Sequence, residues 1–166
     1  MTAFCDTCET PVGCSLSPQC GGLDKSKASN PKDAIASKKI PMHLAPATAV
    51  MAMVTGLLHG MLRYGRSNWR PAGAKASVYH DAIRRHLDDW FEGNDTDEEG
   101  CDNLDAILAN VAIIVDARAC GKLTDDRQFP GGYREAKAKA EENVARLLVM
   151  HAEKSPRHYT IADARQ

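Results

Sequence analysis

Residues 101–120 constrain the fold most strongly, because they are apolar on nearly every face of a helix. Leucine, isoleucine and valine recur there at helical spacing, and alanines and a further isoleucine occupy the neighbouring faces. A helix that is apolar nearly all round is buried on more than one side. In a chain of 166 residues, this pattern predicts a central helix that also contributes to an oligomer interface. The apolar stripe consists of Leu104, Ile107, Leu108, Val111, Ile114 and Val115.

Other segments also have the helical period, and alternation of β-branched residues is nearly absent, which predicts an all-α fold. We expect a helix at about 46–64, ending at Gly65 because glycine commonly terminates helices. A second should span about 75–92 and end at Gly93, and the last should span about 133–152. With the central helix, the prediction is an oligomeric helical bundle of about four main helices.

The domain boundaries follow from changes in composition. Residues 1–29 are rich in Thr, Ser, Gly and Pro and predict a flexible arm, 30–155 form the folded domain, and 156–166 form a tail. The arm contains a Cys-x-x-Cys pair at Cys5 and Cys8, which makes a zinc knuckle conceivable. Its second pair, Cys14 and Cys20, lacks that spacing, so a reduced and disordered arm is the favoured interpretation.

Charge and hydropathy exclude several classes of partner. The formal net charge is −1, so no overall basic field attracts nucleic acid. No secretory signal pattern is recognisable. The most apolar stretch, residues 45–62, is short for a membrane span and is interrupted by polar residues and glycines. We therefore expect a cytoplasmic protein that binds neither membrane nor nucleic acid.

Carboxylates cluster around the turn that separates the second and third predicted helices. Asp88 and Glu92 lie one helical turn apart, Asp97 lies in the turn, and Asp102 and Asp105 begin the next helix. Like charges at this spacing oppose helix formation unless a cation lies between them. Oxygen ligands alone favour Mg or Mn over zinc. These five side chains are therefore the candidate metal ligands. Asp116 falls on the same stripe of its helix as Asp102 and Asp105, and this acidic stripe could share a cation with the one on the neighbouring helix.

The structural alternative is a solvated acidic turn beside an ion pair between Asp81 and Arg85. A buried carboxylate must be paired, protonated or bound to metal. Asp102 and Asp105 begin a helix that is expected to be largely buried, so the functional interpretation is stronger for them than for the turn.

Cationic and aromatic side chains occur near these carboxylates. Together they are the residue types that bind the phosphates and the base of a nucleotide beside metal ions. Arg84, Arg85, His86 and Arg127 are candidates for phosphate binding, since the planar guanidinium matches phosphate oxygens. Each arginine has the alternative of pairing with a local aspartate. Trp69, beside Asn68 and Arg70, is placed in a loop, where it serves either as a stacking platform for a purine or as a loop anchor. His43, His59 and His80 are predicted to be non-functional.

Several of these residues belong to motifs that resemble a known family. Their order and spacing are similar to those of the bacteriophage dATP/dGTP diphosphohydrolases (MazZ type), which resemble the MazG-like all-α nucleotide pyrophosphohydrolases. The resemblance covers roughly residues 30–127. The motifs are Asn30-Pro31-Lys32-Asp33, Tyr64-Gly65-Arg66-Ser67-Asn68-Trp69-Arg70, Arg85-His86-Leu87, Asp97 with Gly100, Asn103-Leu104, and Asp126-Arg127.

The resemblance implies a MazG-like bundle, a homodimer or homotetramer, that cleaves a deoxypurine triphosphate to the monophosphate and pyrophosphate with Mg or Mn. In phages this reaction controls the nucleotide pool and serves 2-aminoadenine DNA metabolism. Asp102-x-x-Asp105 matches the Glu-x-x-Asp motif of such enzymes, with Asp for Glu. Their other acidic pair maps onto Asp88 or Asp89 with Glu92.

The resemblance also implies individual roles. Glu92, Asp105 and Arg85 would be catalytic, and the metal would be held by Asp88, Glu92, Asp97, Asp102 and Asp105. The nucleotide would be bound by Tyr64, Asn68, Trp69, Arg70, Arg85, His86, Asn110 and Arg127.

Two alternatives to this function remain open. Asn94 and Asn103 stand where many relatives have ionisable ligands, which favours a non-catalytic nucleotide sensor or interaction protein on the same fold. The other alternative is a pyrophosphatase of a different nucleoside triphosphate. The choice between dATP and dGTP is likewise open.

Overall fold

A computed structural model describes residues 32, 35 and 38–164. A 3₁₀ turn at Met42–Leu44 belongs to a first compact unit, Met1–Leu44. The second unit, Ala45–Gln166, contains the helices that carry the predicted site. The arm at 1–29, and residues 30–33 except Lys32, lie outside the described residues.

The regular secondary structure of the second unit is almost entirely helical. Its elements in chain order are α1 (Ala47–Tyr64), α2 (Trp69–Ala72), β1 (Ala74–Lys75), α3 (Ala76–Phe91), α4 (Asn103–Ala119), β2 (Leu123–Thr124), α5 (Tyr133–Met150) and α6 (Ile161–Ala164). The all-α prediction is confirmed, and the four long helices lie where the periodicity placed them. The described helices include none that is long and apolar enough to cross a membrane.

Glycines end α1 and α3, as predicted from the sequence. Gly65 has a φ of 86°, and its N–H bonds to the carbonyl of Met61 at 2.9 Å. Gly93 follows α3 with a φ of 97°. Residues with a side chain rarely adopt these conformations, so the chain leaves each helix at the position that the sequence indicates.

A two-residue parallel pairing, absent from the sequence prediction, links the start of α3 to the segment after α4. Ala74 pairs with Leu123, and Lys75 with Thr124. Nearby, Asp126 accepts hydrogen bonds from the Ser77 backbone N–H at 2.8 Å and hydroxyl at 2.6 Å. These bonds lower the pKa of Asp126, and the carboxylate complements the positive end of the α3 dipole. Asp126 therefore has a structural role.

The contact between α1 and α4 depends on small residues. Both α1 and α3 pack against α4. At Gly56, a Cβ atom would lie 2.8 Å from the carbonyl carbon of Asp105 and 2.9 Å from the Cβ of Ala109. Only a residue without a side chain permits this approach of two backbones.

We expect Gly56→Ala to destabilise the fold by about 1–3 kcal/mol, because overpacking forces the helices apart. Gly60→Ala, one turn later in the same helix, is the matched control, since a Cβ there would meet nothing within 4 Å. It should stabilise the helix by roughly 0.5–1 kcal/mol. Urea unfolding of both variants measures the difference, and equal effects would contradict the close approach.

The large apolar side chains of the described residues are not buried. The buried apolar residues are the alanines Ala74, Ala76, Ala109 and Ala117. Val111 and Val115, predicted to lie in the core, are 43% and 50% exposed. The helix α5 has no buried residue and no extensive packing against the other described elements. The predicted central position of α4 is correct, but one side of it remains uncovered.

Candidate active site

A cavity of about 230 Å³ lies among α1, α2, α3 and α4. Five of the predicted nucleotide-binding residues contribute to its lining, although they come from four different parts of the chain. This volume is sufficient for a flat group such as a base, and the cavity does not extend to the other three predicted residues. The five are Tyr64, Asn68, Trp69, His86 and Asn110.

The Asp116 carboxylate holds one wall of this cavity in place. The indole N–H of Trp69 donates to Asp116 Oδ2 at 2.6 Å. The Arg70 guanidinium donates to both oxygens of the same carboxylate at 2.8 Å. The hydrogen bonds from Arg70, and then from Trp69, lower the pKa of Asp116 to about 2. Arg70 therefore supports Trp69 and lies outside the cavity lining.

The structure corrects two expectations at this wall. Trp69 was predicted in a loop, but it begins the one-turn helix α2. Asp116 was grouped with Asp102 and Asp105 on one acidic stripe of α4 that would share a cation, yet its charge is matched by Arg70. The sequence contains no local signal for this pairing, because 46 residues separate the partners.

Two carboxamides supply hydrogen-bonding groups to the cavity. Asn110 donates from Nδ2 to the carbonyl of Ala106 at 2.9 Å, which leaves its Oδ1 as an acceptor. The Asn68 side chain forms no hydrogen bond among the described residues. Polar atoms that converge on an aromatic ring are the groups that fix the orientation of a bound planar ligand.

A buried hydrogen-bond network orients His86 on the opposite wall. Asn103 is fully buried, and its Nδ2 donates to the Asn94 carbonyl at 2.8 Å. This bond assigns Oδ1 of Asn103 as the acceptor that faces His86 Nδ1, 2.7 Å away. The proton of neutral His86 is therefore on Nδ1, and Nε2 has a free lone pair. Sequence reasoning did not give Asn103 this positioning role.

A second, carboxylate-lined cleft of about 560 Å³ adjoins the cavity at His86, which lines both. Asp97 and Glu99 contribute to its acidic wall. Arg85 also lines it, and the Arg85 guanidinium has no ion-pair partner among the described residues. A free cation among carboxylates suits a polyphosphate that is bound together with metal ions.

Two of the predicted metal ligands in this region accept backbone hydrogen bonds with one carboxylate oxygen, and their second oxygen forms no hydrogen bond with the described residues. Asp97 Oδ1 accepts from the N–H groups of Glu99 and Cys101 at 3.0 and 2.9 Å. Asp102 caps α4, since its Oδ1 accepts from the N–H groups of Leu104 and Asp105 at 2.8 and 3.4 Å. Burial, and then the nearby Asp102, raise the pKa of Asp105.

The remaining predicted residues lie elsewhere. Asp88 pairs with Arg84 at 2.9 Å, and Glu92 follows the last turn of α3. Asp81 pairs with its neighbour His80, so the alternative pairing with Arg85 is wrong.

Arg127 is separated from the other predicted nucleotide-binding residues. It donates twice to Asp125 at 2.7 Å. Both residues line a different cavity, of about 710 Å³. The described chain therefore does not bring Arg127 to the cavity that contains Trp69.

The carboxylate oxygens are the type of ligand that a magnesium site uses, but they are not grouped around one point. In the part of the chain that the structure describes, no three His, Cys, Asp or Glu side chains are grouped to hold a metal ion. Burial, and then the negative charges of Asp97, Asp105, Asp102 and Glu99, raise the pKa of the Cys101 thiol. Their oxygens suit Mg or Mn, but a common binding point is not formed.

Comparison with known families gives a match that covers more than half of the chain. The sequence model described as "dATP/dGTP diphosphohydrolase, N-terminal" matches residues 29–127. The chain belongs to this family. Every predicted site residue lies within the matched range, whereas α5 and α6 of this dATP/dGTP diphosphohydrolase family member lie beyond it. Neither a curated protein nor a solved structure matches the chain.

We expect Asp116→Asn to release Trp69 and to raise the KM for nucleotide roughly tenfold, because a charge-assisted bond to Arg70 is lost. Trp69 emission, recorded in a Trp90→Phe background, should shift in parallel. In the parent protein the carboxylate clamp is fully formed above the ordinary pKa of 3.8 and is lost as the pH falls towards about 2.

Asp163→Asn is the control for this variant. It breaks another exposed Arg–Asp pair, formed with Arg157 at 2.9 Å, outside the matched range. Unchanged emission and KM in Asp116→Asn would contradict the positioning of Trp69.

Proposed function

We propose that this protein hydrolyses dATP or dGTP to the deoxynucleoside monophosphate and pyrophosphate, with Mg or Mn. The family description provides the diphosphohydrolase activity on dATP and dGTP. The observation that carries the proposal for this chain is a base-sized cavity, with Trp69 in its wall, that adjoins a carboxylate-lined cleft at His86.

The base would lie in the cavity against Trp69, with the free polar atoms of Asn68 and Asn110 at its edge. Purines offer both donors and acceptors along this edge, so two carboxamides suffice to fix the orientation of the ring. Tyr64 contributes to the same lining. Stacking and edge contacts together would hold the base while the phosphates extend towards the cleft.

The phosphates would lie in the cleft, where Arg85 supplies positive charge for the leaving pyrophosphate. The free oxygens of Asp97 and Asp102, with Asp105, are the donors that would bind a divalent ion. Such an ion neutralises phosphate charge and lowers the pKa of bound water. Asp105, where it lies outside the ligand set, would accept a proton from the attacking water.

The decisive test is pyrophosphate release with Mg or Mn from every canonical dNTP and NTP, with the products identified. We expect release from dATP or dGTP. In Asp105→Asn, kcat should fall by roughly 100-fold or more. The fold should remain intact, because a raised pKa means that burial disfavours the charged carboxylate.

Asp81→Asn is the matched control. It neutralises an exposed helical aspartate, paired with His80, outside the proposed machinery. Near-full turnover in Asp105→Asn would contradict the assignment of Asp105.

One observation favours a second candidate, a non-catalytic nucleotide sensor. Asn103, at a position where relatives have ionisable groups, is fully engaged with His86 and Asn94. Binding of dATP or dGTP without pyrophosphate release would identify a sensor. Turnover confined to another nucleotide would instead identify a pyrophosphatase of different specificity.

The proposed role is control of the deoxynucleotide pool in the cytoplasm, in a phage that uses 2-aminoadenine DNA. The resemblance of the Tyr64–Arg70 and Arg85–Leu87 motifs to phage enzymes supports this role. Free nucleotides are the substrate, so the proposal requires no direct nucleic-acid or membrane contact.

We further propose that the protein is a homodimer or homotetramer in which α1 and α4 contact a second copy. The face of α1 opposite Gly56 is apolar and exposed, with Met51, Leu58 and Leu62 along it. A row of exposed large apolar side chains on one helix face is typical of protein interfaces. The buried apolar residues of the described chain are alanines, so the burial of apolar surface within one protomer contributes little to its stability. Association would bury the larger apolar side chains that are now exposed.

Light scattering after size exclusion tests this arrangement. We expect a dimer or tetramer for the parent protein and dissociation for Leu58→Glu, because an unpaired charge in an apolar interface is costly. Leu58→Met, which conserves volume and apolar character, should retain the assembly. A monomeric parent protein would contradict the proposed interface.

A further inference from the structure

One carboxylate links the turn between α3 and α4 to α1. Glu99 Oε2 accepts from the Arg63 guanidinium at 2.8 Å and lies 3.2 Å from His59 Nε2. His59 and Arg63 line the 230 Å³ cavity, whereas Glu99 lines the carboxylate cleft. The three side chains therefore meet where the two spaces adjoin.

The conformation of the turn does not depend on this link. The Asp97 carboxylate bonds to two backbone N–H groups of the turn, and Thr96 forms an antiparallel bridge with Asp102. The side chains of Arg63 and Glu99 are 46% and 50% exposed. Ion pairs as exposed as this one are weak and exchange readily.

The cavity is too small for a whole nucleotide, since sites for ligands of that size measure about 300–1,000 Å³. If the base lies inside the cavity, the phosphates of the same nucleotide must extend out through its opening, the mouth of the cavity. His59 and Arg63, one helical turn apart on α1, place two nitrogen atoms within 3.2 Å of one oxygen at that mouth, and the Arg63 guanidinium donates a hydrogen bond to it. The Arg63 guanidinium also lies over the Tyr64 ring, 5.1 Å from its centre.

We propose that Arg63 and His59 form a phosphate subsite, and that Glu99 occupies it as a substitute anion until the triphosphate displaces it. This inference rests on the proposed function and adds two residues to its binding site. Arginine binds phosphate oxygens with the same donor geometry that it uses for carboxylate. The displaced Glu99 side chain then faces the cleft that it already lines together with the candidate metal ligand Asp97.

Competition within the subsite makes a distinctive prediction. The apparent affinity for a ligand falls with the fraction of protein whose site is free. Removal of Glu99 should therefore strengthen phosphate binding, whereas removal of Arg63 should weaken it. A structural ion pair would predict no effect of either change on phosphate binding.

The experiment measures calorimetric binding of inorganic tripolyphosphate to the full chain in excess EDTA. We expect Arg63→Met to weaken binding roughly tenfold or more and Glu99→Ala to tighten it by about threefold or more. The double variant should behave like Arg63→Met, because Glu99 acts only through the subsite. Arg157→Met is the control, since it breaks another exposed Arg–carboxylate pair, with Asp163, and should leave affinity unchanged.

Opposite effects of the two single variants support the proposal. Unchanged affinity in Arg63→Met, or unchanged or weaker binding in Glu99→Ala, overturns it. Circular dichroism establishes that each variant is folded. Because tripolyphosphate carries no base and EDTA prevents metal-dependent turnover, the result stands whether or not pyrophosphate release from dATP or dGTP is observed.

Discussion

The close approach of α1 to α4 at Gly56 is the constraint on which the rest of the site depends. It places the backbone of α1 against Asp105 and Ala109, and so sets the distance between the walls of the cavity. Towards its C-terminal end, α1 carries His59, Arg63 and Tyr64 past α4 to the cavity mouth. A larger residue at position 56 would change the width of the site before it altered any polar contact.

Within this frame, long-range polar contacts fix the side chains that line the cavity. Asp116 holds Trp69 and Arg70 from the far end of α4, and Asn103 holds His86 from its first turn. A single helix therefore orients both walls. These contacts already hold the Trp69 ring and the His86 imidazole in position. Ligand binding therefore costs little side-chain conformational entropy at these two residues.

The helices could be predicted from the sequence because periodicity and terminal glycines are local signals. Gly65 and Gly93 marked their helix ends correctly, and motif resemblance grouped Trp69 and His86 in one predicted site, where both line the same cavity. The pairings of Asp116 and Glu99 could not be predicted, since they join residues 46 and 36 positions apart. Arg127 illustrates the reverse case, because an arginine in a family motif is here paired with Asp125. Spacing along a chain does not determine which carboxylate neutralises which cation.

The acidic turn combines structural and functional demands on the same carboxylates. Asp97 and Asp102 each give one oxygen to backbone N–H groups, which fixes the turn and the start of α4 while a second oxygen stays available. Asp105 carries a raised pKa because of burial and Asp102, so its charged form is disfavoured until a cation compensates it. Backbone contacts hold the turn in shape, and the metal ion of the proposed function would supply the compensating positive charge. The turn carries more carboxylates than cations. Under the proposed function, the metal ion would therefore be needed before the negatively charged triphosphate could bind there, so that binding of one would depend on binding of the other.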